Sequence, residues 1–267
     1  IWFGTETGGI NLLNPRQLSI RSYRHDKENP SSLSYNPVNA IYEDAYGTLW
    51  VGTVEGGLNR KERNSEDFTH YTREHGGLSH NSVSALTSDA DNHLWIGTWG
   101  GGLNLLDLKA PRQIQEVISS QTSGGFPINF IGVLNYDPIN KGIWIGANQG
   151  LYFYDPIKKE ITAPLPDKIA ENIHGCIGSI IDKEGKLWVG CLEGVYIIDL
   201  HSRSSKGEFQ YRHLNYKLDD PSSRLIEKIT CFYEGKDGTL WLGSNGYGIY
   251  QRKIDAQGKE QFISYST

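Results

Sequence analysis

No run of apolar residues in the chain approaches the roughly 18 needed for a membrane-crossing helix, so this segment is expected to make no membrane contact. Basic residues are not in excess either: 26 lysines and arginines face 31 aspartates and glutamates, for a formal net charge of −5. A phosphate-neutralising face needs the opposite balance, and nucleic acid is not an expected partner. Cys176, Cys191 and Cys231 are too few and too irregularly spaced for a zinc site or a disulfide framework. Cys176 and Cys191, on strands joined by a short turn, read as two small buried residues near one another. The eight histidines include no pair at a metal-ligand spacing such as H-E-x-x-H, so neither a metal nor a cofactor is expected. A G-x-S-x-G elbow, a Walker A loop and a dinucleotide glycine motif after a strand are all missing. The opening residues Ile1-Trp2-Phe3-Gly4 have neither an initiator methionine nor the basic and apolar stretches of a targeting segment, which would lie upstream.

The 267 residues suit either two ordinary domains or one barrel or propeller. With 21% charged and 11% aromatic residues the chain is not of the disordered class. Internal repetition chooses between the two architectures. An aliphatic residue, Trp, an aliphatic or Phe, then Gly occurs six times, with Trp at positions 2, 50, 95, 144, 188 and 241. The spacings of 48, 45, 49, 44 and 53 are near the period of four-stranded propeller blades.

Each unit reads alike. A β-rich run, strand A, covers 38–44, 82–89, 129–137, 175–182 and 227–234. A tight Asp- and Gly-bearing turn leads to strand B with the Trp, then a Gly-rich bend leads to strand C. Strand D is visible at 18–24, 67–72, 209–215 and 260–266. With no helical periodicity, the pattern predicts an all-β fold, a β-propeller of four-stranded antiparallel blades with Trp as the wedge between neighbours. The predicted boundaries are 1–24 for a partial first blade, then 38–72, 82–119, 129–166, 175–215 and 227–267. Five complete blades plus a partial one are expected to belong to a seven-bladed ring, making the chain a piece of something longer. Trp50, Trp95, Trp144, Trp188 and Trp241 are expected to be largely buried.

The consensus D-x-x-G-x-L-W-V/I-G-T-x-x-G-G-L-N, fitted throughout by Asp44 to Asn59, resembles the two-component regulator propeller repeat, as do the links SSLSYNPV (31–38) and GGLSHNSV (76–83). Blades four and five are one residue short before strand C, and blade six has Gly235 in place of the turn Asp. The resemblance implies the periplasmic, extracytoplasmic sensor region of a Bacteroides-type hybrid two-component histidine kinase. It further implies an adjoining propeller and an immunoglobulin-like domain in the same chain as partners, and a homodimer is compatible with it.

Chain direction brings the B-to-C bends and the D-to-A links to one end of each blade. That end gathers Glu6, Glu55, Trp99, Asn148, Gln149, Glu193, Asn245 and Tyr247 from bends, with Tyr35, Asn36, His80 and Asn81 from links. Aromatic planes with short amides and carboxylates suit an oligosaccharide or other small molecule, whose C–H faces stack while its hydroxyls bond. The ligand-binding candidates are Trp99, Glu55, Tyr35, His80, Asn81, Glu193 and Tyr247. Trp99 stands out as the only Trp outside the repeat position, although it could instead fold over its Gly100-Gly101-Gly102 turn or pack on an adjoining domain. No catalytic residue is assigned. The expected function is a non-catalytic sensor that signals through domain packing. The alternatives are a propeller enzyme of the streptogramin-lyase type, acting through a His, an acid and Mg²⁺, and a protein-interaction scaffold.

Overall fold

A computed structural model describes all residues except 15–18, 120, 167–168, 170–172, 206, 215–227, 256, 259 and 266–267. Leu18, Asn215, Glu227 and Ser266, which the sequence pattern assigns to strands, lie outside the described residues. The chain divides into two compact units, residues 1–134 and 135–267.

The first unit begins with a three-stranded sheet of β1 (Trp2–Gly4), β2 (Ile10–Asn14) and β3 (Ser19–Tyr23). Next come β4 (Val38–Glu43), β5 (Leu49–Thr53), β6 (Leu58–Lys61) and β7 (Phe68–Tyr71), followed by β8 (Val83–Ser88), β9 (His93–Thr98), β10 (Leu103–Asp107) and β11 (Gln115–Ile118). The division falls within β12 (Ile131–Asp137), which starts the sheet completed by β13 (Gly142–Ala147), β14 (Leu151–Asp155) and β15 (Glu160–Thr162). The fifth sheet holds β16 (Gly178–Ile181), β17 (Lys186–Cys191), β18 (Gly194–Arg203) and β19 (Phe209–Leu214). The sixth holds β20 (Ile229–Glu234), β21 (Leu240–Ser244), β22 (Ile249–Ile254) and β23 (Glu260–Tyr265). In every sheet the strands lie in chain order.

Six Trp-Gly strands thus give six blade sheets of the β-propeller type, the first of three strands and the other five of four. Six blade sheets correct the expectation of a seven-bladed ring. A blade needs its own Trp-x-Gly strand to fill the space beside it. The sequence supplies six of these, and the count of seven had no residues behind it.

The motif works by alternation along a strand. Leu49 and Val51 turn toward the preceding sheet, packing with Ile10 and Leu33, whereas Trp50 between them packs forward on Val83, Leu94 and Ile96 of the next. In the second unit Trp188 likewise meets Ile229, Leu240 and Leu242. The motif glycine marks the closest approach of one blade to the next. A Cβ on Gly52 would lie 2.5 Å from Val83 Cγ1, and one on Gly190 would lie 2.1 Å from the Ile229 carbonyl oxygen.

The turn aspartate explains the rest of the consensus. Asp44 Oδ1 accepts the Tyr46 and Thr48 N–H groups at 2.9 Å, and its Oδ2 accepts the Trp50 indole N–H at 2.8 Å. Asp89, Asp137 and Asp182 repeat this with Trp95, Trp144 and Trp188 at 2.8, 3.0 and 2.7 Å. One carboxylate therefore closes the A-to-B turn and satisfies a polar hydrogen that burial would otherwise orphan. In blade six Gly235 cannot do so, and Asp237 instead binds Thr239. Trp50, Trp95, Trp144 and Trp188 are buried, but Trp241 is only half-buried, which corrects the expectation for that residue. Its side of the sheet borders an open apolar cavity of about 380 Å³ shared with Cys231, Phe232, Tyr233 and Ile249.

Candidate functional site

Two sets of hydrogen bonds build the bend end of blades two and three. Thr53 Oγ1 donates to the Gly57 carbonyl at 3.0 Å and accepts the Gly56 N–H at 3.1 Å, and Thr98 does the same with Gly102 and Gly101. Gly57 adopts φ +79°, and a Cβ there would meet the Tyr71 carbonyl oxygen at 2.2 Å, so the bend requires glycine. Behind each bend is the buried asparagine that ends the consensus. Asn59 Oδ1 accepts the Ser34 N–H at 2.8 Å, and Asn104 Oδ1 accepts that of Ser79 at 3.0 Å. These bonds fix the D-to-A links and set Tyr35 and His80 beside the bends.

In the first unit Tyr35 and Glu55 are neighbours, and the Glu55 carboxylate raises the Tyr35 phenol above its ordinary pKa. The Asn81 carbonyl accepts the Gly57 N–H at 2.8 Å, tying this bend to the next link. The His80 ring lies against Gly100, where a Cβ would approach its Cδ2 to 2.7 Å, and its Nδ1 accepts the Ser82 N–H at 3.0 Å. Trp99 is 42% exposed, so it has not folded away under its glycine turn. It forms an isolated antiparallel bridge with Phe130, itself 55% exposed. The Asn81 side chain braces its own link, since its Oδ1 accepts the Arg73 N–H at 2.7 Å and its amide donates to Glu74 at 3.2 Å, holding that carboxyl below its ordinary pKa. The structure therefore places Tyr35, Glu55, His80, Asn81 and Trp99 along two linked bends, with Phe130 as an addition. The apolar run 129–137 predicts Phe130 inside a strand. β12 starts one residue later and leaves the ring at the bend end.

Glu193 and Tyr247 belong to the second unit and sit on separate bends. Glu193 Oε1 lies 3.0 Å from His174 Nδ1, and Oε2 accepts the His174 N–H at 3.1 Å. Its carbonyl contacts His213 Nε2 at 3.0 Å, and His213 stacks on Tyr196 with ring centroids 4.1 Å apart. No motif points to His174, which pairs with Glu193 from 19 residues away through the link rather than the bend. Blades four and five replace the bend Thr by Ala147 and Cys191, so their shortened bends lack the hydroxyl clamp. Tyr247 is 42% exposed, with its N–H bound to Ser244 Oγ at 3.1 Å.

Chemistry also collects away from the bends. A cavity of about 400 Å³ in the second unit is lined by Glu184, Lys186, Asp199, Tyr211, Arg212, Arg252 and Glu260, among others. Glu260 accepts Arg252 Nε and Arg212 Nη2, both at 2.6 Å, and the Arg252 guanidinium lies over Trp188 at 5.1 Å, so these charges are already matched inside the protein. Asp89, Asp91 and His93 place one ligand atom each within 4.8 Å of the others. Asp89, however, already holds its own turn and Trp95.

Comparison with known proteins agrees with this architecture. Residues 32–55, 77–100 and 225–246 match the family described as two component regulator propeller. No curated protein matches the chain. Among solved structures, the extracellular domain of BT4673 from B. thetaiotaomicron superposes with a TM-score of 0.73 at 22% identity, over 100% of this chain and 35% of that one. A second extracellular domain from that organism, BT3049, assigned to a hybrid two component system, gives 0.62 at 19%, over 99% and 45%. Virginiamycin B lyase from Staphylococcus aureus gives 0.66 at 14%, over 100% and 80%. At these identities the likeness is one of fold, and the chain spans about a third to under half of the two extracellular domains.

Proposed function

We propose that this chain, which carries two component regulator propeller repeats, is the non-catalytic extracytoplasmic sensor module of a hybrid two-component system. Its ligand is a small molecule of the oligosaccharide class, bound at the bend end of the first unit. The observation that carries the reading is the juxtaposition there of exposed Trp99 and Phe130 with the Tyr35–Glu55 pair and the His80 ring. Exposed aromatic faces beside hydroxyl, carboxylate and imidazole groups are what a pyranose needs for stacking and hydrogen bonding. The extracellular domains that share the fold support the periplasmic side as the location and a histidine kinase as the output of the whole protein. Adjoining propeller and immunoglobulin-like domains would receive the signal as a change in domain packing.

The test is calorimetric titration with a panel of glycans. Trp99→Ala is expected to weaken binding several-fold at unchanged melting temperature, since one aromatic stack contributes on the order of 1 kcal/mol beyond area burial. Equal affinity of variant and parent would remove Trp99 from the site. Binding lost only on substituting A-to-B turns such as Lys183-Glu184 would move the site to the opposite end. One observation favours an enzyme instead: His174 and Glu193 form the type of His–acid pair that a propeller lyase would use. Turnover of a candidate substrate, abolished by EDTA and by His174→Ala, would establish that second reading.

A further inference from the structure

We infer that Cys176 and Cys191 are a dithiol built to close into a disulfide, a clasp beneath the bend that presents Glu193. Their sulfurs lie 3.1 Å apart, and both residues are buried, 1% and 0% exposed. The backbone around them is already paired: the Ile177 N–H donates to the Gly190 carbonyl at 3.1 Å, and the Leu192 N–H to the His174 carbonyl at 3.0 Å. The two sulfurs therefore meet beside backbone bonds that already join their segments, and need to close by only about 1 Å to reach disulfide length. Two residues further on, the same pairing carries His174 against Glu193. The clasp would fix one residue of the link and one of the bend, on which that polar pair depends.

The position is also unusual within the repeat. Blades two and three have Thr53 and Thr98 at the end of strand B, where the hydroxyl clamps the bend. Blade five has Cys191 there, and its clamp partner is the sulfur of Cys176. The third cysteine, Cys231, is exposed.

The chemistry is thiol–disulfide exchange with an external disulfide as oxidant. One thiolate of the pair attacks a sulfur of the oxidant, expelling the first oxidant thiolate and forming a mixed disulfide. The second protein thiolate attacks the protein sulfur of that bond and expels the other. Two protein thiols become one disulfide, while the two electrons and two protons end on two oxidant thiols. The Cys176 sulfur beside it, together with burial, holds the Cys191 thiol up and unreactive in the folded protein. The exchange therefore belongs to folding, before the pair is covered.

The 267-residue chain is refolded from denaturant with and without a mixture of oxidised and reduced glutathione. Free thiols are then alkylated under denaturing conditions, the protein is reduced, and new thiols receive a second, distinguishable label. After refolding with glutathione, Cys231 is expected to take the first label and Cys176 and Cys191 only the second. The oxidised protein should melt at least about 5 °C above its reduced form, by closure of a loop of roughly 15 residues. Cys191→Ser should abolish both the second label at Cys176 and the melting difference. First-label modification of all three cysteines after oxidative refolding would overturn the inference, as would a bridge that includes Cys231. Neither outcome depends on whether the bend end binds a glycan.

Discussion

Replacement of Asp137 by Ala tests the link between the turn and the wedge. Asp137 is fully buried, and its carboxylate accepts four hydrogen bonds: from the Ile139 and Asn140 N–H groups at 2.9 Å, from Asn140 Nδ2 at 2.9 Å and from the Trp144 indole at 3.0 Å. Water can replace the bonds to the turn in part, because Ile139 is 39% exposed. It cannot reach the indole N–H, since Trp144 is 1% exposed and ringed by Phe153 and Phe209. An orphaned buried donor costs about 1–3 kcal/mol, and each turn bond adds about 0.5–1.5 kcal/mol before the recovered desolvation of the carboxylate is subtracted. The net loss is about 3 kcal/mol, which lowers the melting temperature by roughly 6–12 °C in a unit of this size. Asp137→Asn should be almost as costly, because any orientation that keeps the turn bonds points an NH₂ donor at the indole donor. Asp237→Ala in blade six is the internal control. Asp237 holds a similar turn but no indole, so the midpoint should hardly move. The measurement is thermal or urea unfolding followed by tryptophan fluorescence. Equal small effects in Asp137→Ala and Asp237→Ala would refute the argument, showing the indole bond to be dispensable.

Three further outcomes follow from the same geometry. Asn59→Ala should destabilise by about 2 kcal/mol in a urea titration, because the buried amide joins the Ser34 N–H to the Val51 carbonyl. An unchanged midpoint would free the link from its asparagine. Gly190→Ala should cost at least about 1–3 kcal/mol by overpacking, since its Cβ would fall 2.1 Å from a backbone oxygen that cannot swing aside. Burial, followed by the neighbouring Cys191 and Glu193, pushes the Tyr196 phenol up to about 12 from 10.0. Above about pH 10 the unfolded chain sheds that proton while the folded chain keeps it, so this contribution is whole below pH 10 and is lost on the way to about 12. Absorbance titration should find a set of late-ionising tyrosines, with one fewer ionising near pH 12 in Tyr196→Phe; identical curves would contradict the burial argument.

The fold was legible because three features of the repeat each have a separate physical cause, and all three act together in blades two to five. Trp50 and its equivalents fill the space toward the next sheet, Gly52 and its equivalents permit the crossing strand, and the turn aspartates bond the indoles. Constraints that recur every 44 to 53 residues survive variation at any single copy. The seven-bladed ring was misjudged because a ring total is a property of the sum, and no residue in a single blade encodes it. Trp241 was misjudged for a related reason. Its motif is intact, but burial is supplied by what lies beside the blade and by the turn residue, and blade six has Gly235 there.

The bend end was legible in kind but not in pairing. Topology alone decides that bends and links share an end, so Trp99, Glu55, Tyr35 and His80 could be named together from strand direction. Which of them touch depends on side-chain clamps that the consensus does not announce. Asn81 looked like an available amide, yet its Oδ1 and its NH₂ are occupied by Arg73 and Glu74. Phe130 and His174 were hidden by the opposite error, since each lies where a link gives way to strand pairing, and one residue of register decides whether a side chain joins the strand or the bend. His174 reaches Glu193 because the shortened bend of blade five, without a threonine clamp, pairs directly with the preceding link. The same shortening sets Cys191 against Cys176. Departure from the consensus in blade five thus creates two pairs between link and bend where the regular blades form a hydroxyl clamp, and such departures are the places to look for chemistry that the repeat itself does not need.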